Sequence, residues 1–230
     1  MGFAQRYDAT LDELARVCAE CGRDPGDVAV MAVSKTVGPA EVAEAIEGGC
    51  ALFGENRPEQ LSEKATLFPQ VSWHFIGNVQ SRKIGQIVGS ADLVHSVYRS
   101  HHLPKIDAAA RGAGKVQDIL LEVNVSGESS KSGVAPQDLP VLVQAVLACP
   151  NVRLRGLMTM APQGDERAAR ECFAGLAQLK AQVAPLLPES SRATFTELSM
   201  GMSEDWPQAV AEGATIVRIG RALFSGEFSR

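Results

Sequence analysis

Short apolar runs alternate with longer amphipathic segments along the whole chain. The amphipathic segments have the spacing of helices and lie at 39–47, 58–67, 80–88, 99–111, 136–147, 165–183 and 203–212. Nearly continuous apolar runs are typical of strands in a parallel sheet that is covered on both faces. We predict eight such strands, at 28–33, 51–53, 73–76, 93–94, 119–125, 154–158, 195–199 and 216–219.

Residues that start and stop helices support these boundaries. Pro39 is a favoured first-turn residue, and Gly48 and Gly49 follow the same segment as expected at a helix C-terminus. Ser203 is predicted to be the N-cap of the last helix, without a complete capping box.

Eight strands that alternate with helices over about 200 residues predict an α/β fold, a (β/α)₈ TIM barrel. An open, doubly wound sheet is the alternative. An extra N-terminal helix over roughly residues 4–21 is expected to cap the bottom of the barrel or to pack beside it. Because only ten residues follow Gly220, we expect residues 1–230 to form one domain.

Composition and charge narrow the class of protein. Hydrophobic residues make up 45% of the chain and charged residues 21%, which argues against disorder. A net charge of −5 argues against a broad basic face for nucleic acid. We expect no signal peptide, because the N-terminus opens onto a polar amphipathic segment, and no apolar run approaches the ~20 residues of a membrane helix. We therefore expect a cytoplasmic protein that binds no membrane.

The five cysteines indicate neither disulfides nor a metal site. Only Cys18 and Cys21 have CxxC spacing, and they fall within the predicted N-terminal helix. No second CxxC or histidine pair completes a zinc site, so both are interpreted as small residues on a helix face.

Candidate chemistry lies at the C-terminal ends of the strands, where TIM barrels carry their active sites. Lys35 follows a buried strand and is expected at the barrel mouth. A partly desolvated lysine loses proton affinity and becomes a usable amine nucleophile, as Schiff-base enzymes require. The alternative is a strand-end lysine that extends into solvent.

The ends of the last two strands offer a phosphate site. Ser199, Gly201 and Gly220 supply a hydroxyl, backbone N–H groups and room for close approach. The alternative is that both glycines only permit turns. A phosphate pocket opposite Lys35 is the arrangement that pyridoxal 5′-phosphate (PLP) needs.

Eight motifs, in order and at all eight strand ends, carry a resemblance to a known family. The chain resembles the pyridoxal-phosphate homeostasis proteins, the YggS/PROSC group, over nearly its whole length. The motifs are Ala32-Val33-Ser34-Lys35-Thr36, Phe53-Gly54-Glu55-Asn56-Arg57, Trp73-His74-Phe75-Ile76-Gly77, Val94-His95-Ser96-Val97, Ser129-Ser130-Lys131-Ser132-Gly133, Gly156-Leu157-Met158-Thr159-Met160, Leu198-Ser199-Met200-Gly201-Met202-Ser203 and Val217-Arg218-Ile219-Gly220.

The resemblance implies a barrel like the N-terminal domain of alanine racemases (PLP fold type III), without their second β domain. It implies PLP held as an internal aldimine on Lys35. The other implied roles are Asn56 beside the ring, Ile76 on its face, Ser199, Gly201 and Gly220 at the phosphate, Arg218 near the pyridine nitrogen, and His74 and Met158 lining the pocket. His74 is interpreted equally well as a core histidine.

The chain departs from the family pattern near its end. Arg221 stands where the family usually has Ser or Thr, and its guanidinium either binds the phosphate or points to solvent. The usual Phe-Gly that follows is spread to Phe224-Ser225-Gly226.

Three functional hypotheses remain open. In the first, the chain binds PLP, buffers this reactive aldehyde and passes it to apo-enzymes, with little or no turnover. In the second it is an amino-acid racemase that uses Lys35 and a second base such as Tyr98. The third is phosphosugar chemistry with Lys35 as an aldolase-type Schiff base, which predicts no bound chromophore. We expect a monomer.

The first hypothesis is favoured for two reasons. An arginine beside the pyridine nitrogen keeps the ring unprotonated, which makes it a poor electron sink. Racemases of this fold take their second base, a tyrosine, from a C-terminal domain, which we do not expect in this chain.

Overall fold

Eight parallel strands close into a barrel in the computed structural model, which describes residues 2–225. The strands are β1 (Ala29–Val33), β2 (Leu52–Glu55), β3 (Ser72–Phe75), β4 (Leu93–Val97), β5 (Gln117–Glu122), β6 (Val152–Met158), β7 (Glu197–Met202) and β8 (Ile216–Ile219). Each strand pairs with its neighbour in sequence, and β1 pairs with β8 from Ala29↔Ile216 to Ala32↔Ile219. This closure confirms the predicted TIM barrel and excludes the open sheet.

Helices follow the strands and cover the outside of the barrel. They are α1 (Phe3–Glu20), α2 (Pro39–Glu47), α3 (Pro58–Leu67), α4 (Ile84–Ser90), α5 (Leu103–Gly112), α6 (Leu139–Leu147), α7 (Glu166–Val183), α8 (Glu189–Arg192), α9 (Trp206–Ala211) and α10 (Arg221–Phe224). No helix among residues 2–225 combines the length and the apolar character that crossing a bilayer requires.

The apolar core has two layers, as the barrel geometry requires. The larger layer lies between the strands and the helices and includes Phe53 and Trp73, whose rings stack at 5.1 Å across β2 and β3. The smaller layer fills the interior of the barrel and consists of Met31, Val33, Leu93, Leu120, Met158 and Ile216. Close packing of this interior layer makes the barrel a solid support below its mouth.

The N-terminal helix α1 packs beside the barrel, one of the two expected positions. Arg6 of α1 donates hydrogen bonds to the carbonyls of Leu223 (2.5 Å) and Phe224 (3.3 Å). Phe3 lies against the Phe224 ring at 5.1 Å and donates its backbone N–H to Glu44 of α2. The helix therefore joins the first and last parts of the chain that the structure describes.

Several boundaries differ from the predicted ones. The predicted helices at 80–88, 99–111 and 136–147 each begin with a 3₁₀ turn, at Ser81–Lys83, Ser100–His102 and Pro136–Asp138. Strand β5 ends at Glu122 because the next residues pair with the loop at Val134.

The predicted N-cap at Ser203 is wrong. Helix α9 begins at Trp206, and the residue in the N-cap position is Asp205. The Asp205 carboxylate accepts a hydrogen bond from the Met202 backbone at 2.6 Å and so closes the turn between β7 and the helix.

Candidate functional site

A cavity of about 880 Å³ opens at the C-terminal ends of the strands. This is the end of the barrel that carries active sites in this fold, and the volume suits a small-molecule ligand. Three of the predicted site residues, His74, Ser199 and Gly201, do not line the cavity. Those that do are Lys35, Asn56, Ile76, Met158, Arg218, Gly220 and Arg221.

Lys35 lies on the cavity wall just beyond β1. Its side chain is exposed, so the partly desolvated surroundings expected from the sequence are not found. It makes no hydrogen bond or ion pair with the other residues of the described range 2–225. The main chain therefore sets the point from which the Lys35 side chain enters the cavity.

The closure of the barrel places the end of β8 beside Lys35 rather than opposite it. A Cβ atom built on Gly220 would lie 3.2 Å from the carbonyl oxygen of Val33, two residues before Lys35. The predicted amine and the predicted phosphate groups are thus neighbours on one wall of the cavity.

Asn56 and Ile76 reach the cavity because the loops after β2 and β3 lie in contact. A Cβ atom on Gly77 would lie 2.0 Å from the Asn56 carbonyl oxygen, so only glycine fits at this position. Asn56, Ile76 and Gly77 all line the cavity. Together they form a wall that has one amide and one apolar side chain.

Arg218 of β8 points into the barrel and reaches the cavity from below. It is 5% exposed, and its guanidinium donates to Ser199 Oγ at 2.7 Å and to the Thr159 carbonyl at 3.0 Å. Burial lowers the pKa of Arg218 to about 10, partly offset by the charges of Asp205 and Glu122. The guanidinium is therefore still protonated at neutral pH.

A chain of hydrogen bonds extends from Arg218 across the interior of the barrel. Ser199 Oγ lies 2.9 Å from His95 Nδ1, and His95 Nε2 lies 3.0 Å from His74 Nδ1. Because a guanidinium can only donate, satisfying every group requires Ser199 to donate to His95 and His95 to donate to His74.

His74 and His95, the two histidines in this series of hydrogen bonds, are neutral. Burial lowers the pKa of His74 to about 4 and that of His95 well below its ordinary value. The Ser199 and His74 side chains are thus internal supports of Arg218 in this structure. Of the two interpretations of His74 that the sequence left open, the contacts favour the core histidine.

The end of β7 departs from regular strand geometry at Gly201. Its φ is +90°, and a Cβ atom there would lie 2.7 Å from Ala209 Cβ and 2.9 Å from Trp206 Cα of α9. The β7–β8 register shifts at the same place, between Ser199 and Met202. Gly201 therefore makes a turn against α9, and Met202 and Ser203 reach the cavity instead.

Arg221 lies at the start of α10, on the rim of the cavity. Its guanidinium donates to Glu204 Oε1 at 2.7 Å, and both side chains are partly exposed. The sequence left two positions open for the Arg221 guanidinium, at the phosphate or in solvent. The structure shows a third, because the ion pair with Glu204 holds the side chain at the mouth of the cavity. Gly226, which was also named for this region, lies outside the described residues.

Sequence reasoning missed three buried ionisable residues close to the site. Glu55 ends β2 and pairs with Lys64 of α3, at 0% and 2% side-chain exposure. Glu122 ends β5 at 3% exposure, and burial raises its pKa to about 7. The available signal for Lys64 was its place three residues after Leu61, on the apolar face of its helix.

No metal centre is evident, since within residues 2–225 no three His, Cys, Asp or Glu side chains cluster as ligands.

Comparisons with known proteins extend over nearly the whole chain. The family model described as "Alanine racemase, N-terminal domain" matches residues 8–227. The chain is 36% identical over 227 residues to the pyridoxal phosphate homeostasis protein of Aquifex aeolicus, covering 97% of this chain and 98% of that protein. It is 45% identical over 205 residues to the protein of the same name from Pseudomonas aeruginosa, covering 88% and 86%.

A solved structure supports the same grouping. PipY of Synechococcus elongatus with PLP bound matches with a TM-score of 0.79 and 33% identity, covering 92% of this chain and 99% of that one. These matches confirm the resemblance that the strand-end motifs carried. The chain belongs to the family of the alanine racemase N-terminal domain, together with the pyridoxal phosphate homeostasis proteins.

Proposed function

We propose that this protein binds PLP through a Schiff base to Lys35 and buffers or delivers it, with little or no catalytic turnover. The main support for this proposal is that Lys35, Arg218 and Gly220 line the same cavity at the strand ends. The related PipY has been solved with PLP bound, and relatives of this chain carry the name of PLP homeostasis proteins.

The residues of the cavity fit the chemical parts of PLP. Val33, Ile76 and Met158 offer apolar surface to the pyridine ring. Ser203 and Gly220, which line the cavity just beyond β7 and β8, suit the phosphate. When bound, PLP supplies an aldehyde that takes up an amine.

Lys35 would form the covalent link. Its neutral Nζ forms a C–N bond to the aldehyde carbon, and the aldehyde oxygen leaves as water with the two amine protons, so that a C=N bond remains. The exposed position of Lys35 leaves the amine open to a ligand in the cavity. The reverse reaction with water releases the aldehyde, as a delivery role requires.

Arg218 would favour binding over turnover. Its guanidinium is fixed by Ser199 and the Thr159 carbonyl, and it stays protonated at neutral pH. At the pyridine nitrogen it can donate a hydrogen bond but cannot leave a proton on the ring. An unprotonated pyridine withdraws electrons weakly from a bound amine.

The racemase hypothesis gains no support from the two tyrosines. Tyr98 does not line the cavity, and the Arg99 guanidinium lies over its ring at 5.0 Å. Tyr7 lies in α1, and burial and Cys50 raise its pKa to about 12. Neither tyrosine is therefore placed to exchange a proton in the cavity.

Visible absorbance of the purified protein with added PLP tests the proposal. We expect a Schiff-base band that borohydride removes, and loss of this band in Lys35→Ala. Lys105→Ala, an exposed lysine of α5, is the matched control and should keep the band. No band in the wild type would refute PLP binding through Lys35.

Two further assays separate delivery from turnover. Proton exchange at the α-carbon of amino acids, above the level given by free PLP, would refute the non-catalytic role. Delivery predicts that the PLP-loaded protein restores an apo-enzyme dependent on PLP, and that borohydride-treated protein does not.

A further inference from the structure

A fully buried ion pair lies behind the cavity wall that carries Lys35 and Asn56. Lys64 Nζ of α3 is 2.5 Å from Glu55 Oε1 at the end of β2, and both side chains are almost completely buried. Removing two charges from water is costly, and additional hydrogen bonds are needed to offset that cost. The partners of these bonds show where the pair acts.

Lys64 holds the main chain on both sides of Lys35. Besides Glu55, its ammonium donates to the carbonyl oxygens of Ser34 and Val37, each at 2.8 Å. An ammonium has three protons, so every one of them has an acceptor. Two of the three bonds therefore fix the segment from residue 34 to residue 37.

Glu55 connects the same segment to Asn56. Its Oε1 also accepts the Ser34 hydroxyl at 2.7 Å, and its Oε2 accepts the Asn56 backbone N–H at 3.3 Å. One carboxylate thus connects the end of β1 to the end of β2. The cavity residues Lys35 and Asn56 lie just beyond these two strand ends.

We propose that the Glu55–Lys64 pair is a positioning pair that sets the direction of Lys35 for its reaction with the aldehyde. This inference rests on the proposed function. Lys35 makes no polar contact of its own within residues 2–225, so its path follows from the main chain that Lys64 holds. Apolar side chains of similar volume would fill the space under the loop at less cost, but they could not hold two carbonyls.

Lys64→Met tests the proposal against a matched control, Lys115→Met. Lys115 Nζ also donates to two main-chain carbonyls, those of Val88 (3.0 Å) and Ala91 (2.8 Å), but it does so before β4, away from the cavity. Both variants lose two contacts with main-chain carbonyls, and Lys64→Met also loses the ion pair with Glu55. Only Lys64→Met should change the reaction of Lys35.

The first measurement is the rate at which the Schiff-base band appears after mixing with PLP. We expect Lys64→Met to be slower by about tenfold to a hundredfold, the effect of a displacement of roughly 1 Å in a reacting group. Lys115→Met should stay within about twofold of the wild type. Equal rates in the two variants would overturn the proposal.

The second measurement needs no PLP. The Ser34 N–H bonds to the Gly54 carbonyl and the Val37 N–H to the Ser34 carbonyl, so hydrogen exchange at both amides reports on the segment. Exchange there should accelerate in Lys64→Met and not in Lys115→Met, and unchanged exchange contradicts the proposal. If the wild type forms no Schiff-base band, the proposed function fails, and exchange still decides whether Lys64 holds the segment.

The double variant Glu55→Gln/Lys64→Met separates positioning from stability. Lys64→Met leaves a buried carboxylate without its partner, whereas the double variant leaves no charge. Its stability should return toward that of the wild type while the band still appears slowly, because methionine cannot hold the two carbonyls. Recovery of the rate together with stability would show that the pair acts only through stability. If Lys64→Met does not fold, the double variant takes its place beside Lys115→Met.

Discussion

Replacing Glu122 with glutamine removes an ionisable group from the barrel interior with little change in volume. Glu122 is 3% exposed, and burial raises its pKa from 4.5 to about 7, with the charge of Arg218 offsetting part of the effect. In the unfolded chain the carboxyl ionises near pH 4.5. Between pH 4.5 and about 7, the folded protein therefore binds one more proton here than the unfolded chain does.

The sign and size of the effect follow from this difference. Where the folded state binds more protons, stability falls as the pH rises, by about 1.4 kcal/mol per pH unit for one proton. From pH 4.5 to about 7, Glu122 thus removes about 3 kcal/mol of stability. Glutamine cannot ionise, so Glu122→Gln should gain about 3 kcal/mol over the wild type across this range.

The histidines make the difference between variants a better readout than the wild-type curve alone. Burial lowers the pKa of His74 from 6.5 to about 4 in the folded protein. Between these pH values the unfolded protein therefore binds more protons at His74 than the folded protein does. That contribution raises stability with pH over the same range and opposes the Glu122 contribution. Subtracting the two curves cancels it, because His74 is present in both proteins.

Urea unfolding at fixed ionic strength, repeated from pH 5 to pH 8, measures this difference. Asp138→Asn, which removes an exposed carboxyl next to α6, is the control and should show no comparable trend. A Glu122→Gln curve parallel to that of the wild type would refute the argument that Glu122 is neutral in the folded protein at pH 6.

Two other substitutions test the end of β7 and the support of Arg218. Gly201→Ala should lose several kcal/mol of unfolding free energy and lower the Tm, because the alanine would have a φ of +90° and would clash with α9. The control is Gly164→Ala, whose φ of +78° is similar but whose Cβ would have no atom within 4 Å. It should lose only about 1 kcal/mol. Equal losses would contradict the clash. Ser199→Ala should cost about 1–3 kcal/mol in urea unfolding, because it leaves one bond of Arg218 and one of His95 without a partner. A loss below the error of the measurement would show that these bonds contribute nothing.

The order of elements was predictable because hydrophobic period and turn residues are local properties. Helices α2 and α3 were placed to the residue by Pro39 and Pro58 and by their apolar spacing. The 3₁₀ turns were missed because they depend on how each loop meets its helix. The N-cap at Ser203 failed because the Asp205 carboxylate bonds to Met202 in a turn that Gly201 creates.

Most of the predicted site residues line the cavity, and two of the three that do not, Ser199 and Gly201, lie in β7. Lys35, Asn56 and Gly220 follow their strands and line the cavity, since every parallel strand delivers its last residues to the same end. Ser199 was predicted at the end of its strand, but β7 continues to Met202 with a register shift at Gly201, and Ser203 lines the cavity instead. Contacts between distant residues, such as Lys64 with Ser34, leave no periodic trace in the sequence.

Arg221 shows how one departure from a family pattern can be absorbed by its neighbour. A serine or threonine at this position would be neutral, whereas arginine adds a positive charge at the rim. Glu204 lies 2.7 Å from the Arg221 guanidinium and offsets that added charge. A phosphate that enters the cavity thus meets an arginine that is already paired. Arg221 favours phosphate binding only if its interaction with the phosphate is stronger than its ion pair with Glu204. For a partly exposed ion pair that amount is small, about 0–1 kcal/mol, so a phosphate would replace Glu204 as the partner of Arg221 at little cost.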